Sequence, residues 1–176
     1  IFYIAITFNG NIFSQGIWKQ KLDFGGGEIY MPAGFSIENK GYIGTGFGIS
    51  GHTSDFWEYD PGNNSWTKMA DYGGAPCSRA VGFSIGNKGY IGTGYTDGYM
   101  PQRDFWEFDP QNNNWVQKAG LKVGRNNATG FSIADKGYIG LGFDSSYTQL
   151  KDFWEWDSNS NVWNQKADFP VTGSDL

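Results

Sequence analysis

One cysteine, one histidine and six prolines among 176 residues already close off several chemistries. Cys77 has no partner for an internal disulfide and no companions at metal-ligand spacing, so it reads as a free thiol. His52, the sole histidine, has no sequence neighbour with which a metal or proton-relay site could be assembled, and reads as a loop residue. Positive charge is scarce as well: 13 Lys and Arg against 18 Asp and Glu give a net charge of -5. No basic stripe exists for a phosphate backbone to follow, which excludes nucleic acid as a partner. No stretch has the period of a long amphipathic helix, and no membrane span is expected. What is abundant is glycine, 27 residues, and aromatic side chains, 18% of the chain. That pairing points to many short strands joined by tight turns.

The chain repeats itself. Gly34-Phe35-Ser36-Ile37 returns as Gly82-Phe83-Ser84-Ile85 and Gly130-Phe131-Ser132-Ile133, a spacing of 48 residues each time. Asp55-Phe56-Trp57-Glu58 returns as Asp104-Phe105-Trp106-Glu107 and Asp152-Phe153-Trp154-Glu155, and Trp66, Trp115 and Trp163 close the units. Such a period denotes stacked supersecondary units. In the unit 34–71, Gly34 to Ile37 is a first strand, and Glu38-Asn39-Lys40-Gly41 is a turn with Gly41 as its expected positive-φ residue. A second strand follows from Tyr42, a third runs from Phe56 to Tyr59, and a fourth opens at Trp66 after the turn Asp60-Pro61-Gly62-Asn63-Asn64. A four-stranded antiparallel meander cannot bury both faces alone. Radial stacking of such sheets is a β-propeller, so the fold class is all-β.

Three full units are expected, at 34–71, 82–119 and 130–168, preceded by a lone fourth-strand match at Trp18 to Asp23. A ring needs at least about four blades. The chain therefore reads as a partial ring, with 18–23 as a closing strand and Pro170 to Gly173 leading into another unit. The remaining blades of the same chain are the expected neighbours of this piece.

The Tyr-x-Gly-x-Gly elements (Tyr42, Gly44, Gly46; Tyr90, Gly92, Gly94; Tyr138, Gly140, Gly142), with aromatic residues seven positions before the final Trp (Tyr59, Phe108, Trp156), resemble the kelch repeat. Kelch glycines are usually adjacent, whereas Thr45, Thr93 or Leu141 separates them here, a departure similar to secreted bacterial variants. The resemblance spans residues 17–171 and implies a propeller of about six or seven blades. It implies binding modules as one function and, through the N-acetylneuraminate mutarotase family and galactose oxidase, sugar-handling enzymes as another. One His, one Cys and scattered Tyr fall short of the oxidase's copper set, and no cofactor or metal is expected.

Residues 1–8, Ile-Phe-Tyr-Ile-Ala-Ile-Thr-Phe, form an uncharged apolar run with Ser14 where a signal peptidase could cut. An earlier strand of the repeat is the competing reading, but Asn9 to Ile12 break the register that places Phe8 against Phe56. Residues 1–14 are thus expected to be the tail of a secretory signal, and the protein secreted or extracellular.

The units differ in their second-to-third-strand and inter-unit connections, which lie on one face. Loops carried on a rigid scaffold are where binding residues concentrate. Arg79, Arg103 and Arg125 all fall in these connections, and an arginine fork suits carboxylates. Tyr99, Tyr147, Asn126 and Asn127 could add an aromatic platform and amides for a sugar. The expected ligand is a protein or a glycan, with an anionic saccharide the functional reading of the arginines. The alternative is that Arg125 and Arg79 are scaffold residues of the repeat. The Asp and Glu pairs at 55/58, 104/107 and 152/155 recur in every unit and read as structural. Gly46-Phe47-Gly48-Ile49-Ser50-Gly51 fits a nucleotide-binding glycine pattern, but a strand follows it, so it reads as a loop.

Overall fold

The computed structural model describes residues 17–98 and 100–170, which contain no helix. No helix among them could therefore cross a membrane. The expected leader, Tyr99 and the stretch from Val171 onward lie outside the described residues.

Strand β1 (Ile29–Tyr30) leads into β2 (Ala33–Ile37) and β3 (Lys40–Gly44). A short ribbon, β4 (Phe47–Gly48) and β5 (Gly51–His52), precedes β6 (Phe56–Asp60) and β7 (Ser65–Lys68). The second unit is β8 (Val81–Ile85), β9 (Lys88–Gly92), β10 (Phe105–Asp109) and β11 (Asn114–Lys118). The third is β12 (Thr129–Ile133), β13 (Lys136–Gly140), β14 (Phe153–Asp157) and β15 (Val162–Gln165). Each unit is one antiparallel sheet with its strands in chain order, while β1, β4 and β5 form a small sheet of their own. The first strands β2, β8 and β12 run side by side. These are three successive blades of a β-propeller; no closure of the ring is seen among the described residues.

Aromatic register explains why the blades adhere. Phe56 of the first blade is fully buried and meets Trp115 of the second edge-on at 4.9 Å, and Phe105 meets Trp163 of the third at 5.2 Å. Edge-to-face packing of this kind adds to the burial of apolar area. A polar clamp repeats beside it. Asn113 and Asn161, both with positive φ, accept the amides of Ala70 and Ala119 at 2.8 and 2.9 Å, while Trp115 and Trp163 donate to the carbonyls of the same two residues. Asn64 and Trp66 clamp Leu22 in the same way. Residues 17–24 nevertheless carry no strand, and they lie against the first blade through Leu22 and through Phe24, whose ring sits 5.0 Å from Trp66. The segment thus lies where a preceding blade's last strand would, with no strand beside it among the described residues.

Gly41 does not serve the turn. The left-handed residue there is Glu38, matched by Gly86 and Ala134, and the glycine sits inside β3. Its equivalents show the physical reason: a Cβ on Gly89 would lie 2.1 Å from the Phe35 ring, and one on Gly137 would lie 2.5 Å from that of Phe83. The second and third blades thus leave out a side chain where the preceding blade's Phe lies. The repeated glutamates are scaffold groups as well, Glu58, Glu107 and Glu155 each accepting from the tyrosine hydroxyl directly opposite, at 2.6, 2.8 and 2.8 Å.

Candidate functional site

On the loop face each blade carries a small antiparallel ribbon. In the first it is the β1–β4–β5 sheet; in the second Ser78, Tyr95 and Pro101 bridge in turn, and in the third Asn126, Phe143 and Gln149 do. These ribbons begin at Thr45, Thr93 and Leu141, each with positive φ, where the chain leaves its second strand. Threonine is an uncommon occupant of that region, and both threonines are held fully buried. A second series of left-handed residues, Met31, Arg79 and Asn127, is linked from blade to blade: the Arg79 amide donates to the Met31 carbonyl at 3.0 Å and the Asn127 amide to the Arg79 carbonyl at 3.3 Å. The repeat therefore delivers Met31, Arg79 and Asn127, one per blade, to neighbouring positions on this face.

Between the first two ribbons lies a cleft of about 150 Å³, lined by Tyr30, His52, Ser78, Arg79, Tyr95 and Asp97 with Met31 and Phe47 beside them. Arg79 lies over the Tyr95 ring, 5.4 Å from its centroid, and its Nε donates to Met31 Sδ. The hydroxyls of Tyr95 and Tyr147 are 3.3 Å apart, which carries the site across to the third blade. Contrary to the loop reading, the His52 side chain is 6% exposed. Its Nδ1 is 2.5 Å from Asp97 Oδ1 and its Nε2 3.2 Å from Ser78 Oγ. A carboxylate can only accept, so Nδ1 carries the proton, and in the neutral ring Nε2 accepts from the serine hydroxyl. The Phe47 ring meets the imidazole edge-on at 4.8 Å and fixes its plane.

Of the residues expected to bind ligand, Arg79 and Tyr147 are thus brought together through Tyr95, and exposed Asn127 adjoins Arg79 through the backbone. Arg103 is exposed but does not line this cleft. Asn126 is buried and bonded within its own ribbon. Arg125 is fully buried, its two Nη atoms each 2.8 Å from an Asp152 oxygen. Burial pushes the Asp152 carboxyl up, but the bonds from Arg125 and Trp154 outweigh it and hold it below its ordinary value.

Cys77 stands 48 positions before Arg125, in the equivalent slot, so Asp104 has no arginine. Desolvation raises the Asp104 carboxyl, and its Oδ1 is buried without a partner among the described residues. Burial, reinforced by Asp104, pushes the Cys77 thiol up to about 12, which removes it as a nucleophile at neutral pH. No group of three or more His, Cys, Asp or Glu among the described residues is placed to hold a metal ion.

No protein-family model matches the chain, and no curated protein matches it. Among the solved structures that do match is that of YjhT, with a TM-score of 0.77 and 20% sequence identity over 90% of this chain. The chain spans 57% of that structure's length. At this identity the likeness shows the β-propeller fold and nothing of the chemistry.

Proposed function

We propose that the chain is part of an exported kelch-type propeller that binds an anionic saccharide through the cleft between its first two blade ribbons. The observation that carries this reading is the placement of Arg79 over Tyr95, with the Tyr147 hydroxyl in reach. A guanidinium on an aromatic face keeps its Nη atoms pointing outward for a carboxylate, and two adjacent tyrosines offer a sugar both an apolar surface and hydroxyls. The kelch assignment rests on the repeated Tyr-x-Gly-x-Gly elements, and export rests on the apolar run at residues 1–8. Binding to a glycan array carrying sialylated, uronic and neutral saccharides tests it. Arg79→Ala should lose at least about tenfold in affinity for the acidic set, as removal of a charge-assisted contact does, and Arg103→Ala should change little. Undiminished binding by Arg79→Ala overturns the proposal.

A sugar-handling enzyme of the mutarotase kind is the second reading. It is favoured by the imidazole of His52 opening on the same cleft, since exchange of anomers requires groups that take and return a proton. Anomer exchange accelerated by the protein and followed by NMR would select it.

A further inference from the structure

We propose that Ser78, His52 and Asp97 form a nucleophilic relay that hydrolyses short-chain acyl esters, such as O-acetyl groups on a saccharide. The proposal takes from the reading above only that Arg79 is the anion contact of the cleft. Three observations converge on it. The serine hydroxyl is within hydrogen-bond reach of Nε2, Nδ1 is held by a carboxylate, and all three residues line one cleft that has a guanidinium in it. A nucleophile, a base and a group that orients the base are the parts that activate a serine, whatever the fold and whatever the chain order. They come from three separate connections, the serine from the inter-blade segment, the histidine from β5 and the aspartate from the loop after Tyr95, so no local motif announces them.

In the first step Ser78 Oγ bonds to the ester carbonyl carbon while its proton passes to His52 Nε2. The carbonyl oxygen becomes an oxyanion. The backbone amides of Ser78 and Arg79 are committed to the carbonyls of Tyr95 and Met31, so the charge is met by the Arg79 side chain. The C–O bond to the alcohol then breaks, and the alcohol leaves with the proton from Nε2. Water repeats the sequence on the acyl-serine: it gives a proton to Nε2, bonds to the carbonyl carbon, and releases the carboxylic acid as Oγ recovers its proton. No oxidant, metal or cofactor enters. A cleft of about 150 Å³ admits an acetyl-sized group, so turnover should fall steeply from acetyl to octanoyl esters.

The test is labelling of the purified chain with a fluorophosphonate probe, located by peptide mapping, together with hydrolysis of p-nitrophenyl acetate. The expected result is an adduct on Ser78, absent in Ser78→Ala, with labelling and turnover at least about 100-fold slower in His52→Gln. Asp97→Asn should retain the labelling site but slow it and alter its pH profile, which loss of a structural staple alone would not do. Probe on the wild-type chain gives a result even if a variant misfolds: an absent Ser78 adduct overturns the proposal, as does hydrolysis unchanged in Ser78→Ala. Ser78 labelling without glycan binding would uphold the relay while removing the saccharide reading. Glycan binding without labelling would do the reverse.

Discussion

Asp109 and Asp157 have their carboxyls lowered to about 2, each chiefly by the lysine bonded to it, Lys88 and Lys136. Their contribution to stability is complete above the ordinary value of 3.8 and is lost as pH falls through about 2. The expected outcome is a melting temperature that drops between about pH 4 and 2, less steeply in a Lys88→Met, Lys136→Met variant; calorimetry across that range checks it. Asp104 has the opposite sign. Desolvation raises its carboxyl, so its stabilising term is present at low pH and lost as pH rises through the folded value. Asp104→Asn keeps an acceptor for the Trp106 indole, which donates to this side chain at 2.7 Å. Its melting temperature should gain on wild type as pH goes from 4 to 7, and a constant difference would sink the idea. These unlike fates of Asp104 and Asp152 follow from Cys77 replacing the arginine found at 125. The sequence prints that replacement, but only the packing gives it meaning.

Each of the two blade interfaces turns on one glycine, Gly89 and Gly137. Gly89→Ala puts a methyl into the Phe35 ring, a contact that backbone and ring cannot both keep. The expected cost is about 1–3 kcal/mol in chemical denaturation, as for overpacked cores. Gly41→Ala, whose Cβ meets nothing nearer than 3.9 Å, should cost far less. Equal costs would mean that both glycines act through the chain's conformational freedom instead of through contact. The turn reading of Gly41 failed for this reason: a glycine next to a turn signals two things in a sequence, positive φ or close approach, and spacing along one chain segment cannot separate them.

Across the blades, the same residue type meets different surroundings. Phe83 is 5% exposed, held between its own blade and Gly137 of the next, whereas Phe131 is 42% exposed beside an apolar cleft lined by Phe153, Phe169 and Pro170. Phe83→Ala should cost about 3–5 kcal/mol and Phe131→Ala markedly less, because a residue already in contact with water leaves no cavity behind. Comparable denaturation midpoints for the two variants would mean that the third blade does not stack as described. Stability in such an array is approximately a sum of units and of the interfaces between them. The position of a phenylalanine in the arc thus sets its value more than its identity does.

The period of 48 residues, the aromatic alternation and the turn residues were enough to specify four-stranded blades and their stacking, because those features obey local rules repeated three times. The loop face was legible as the variable one, and Arg79 and Tyr147 were found there. His52 reads in the sequence as a loop residue without partners, and Ser78 and Asp97 give no signal there, because none of the three repeats and none is near another along the chain. Bringing them within hydrogen-bond reach required two blades to dock and two ribbons to face each other, an outcome fixed by inter-blade contacts between residues far apart in sequence. For Arg125 the sequence leaves a ligand contact and a scaffold residue both open: a guanidinium in a variable connection and one locked on a buried carboxylate are written with the same letter, and burial separates them.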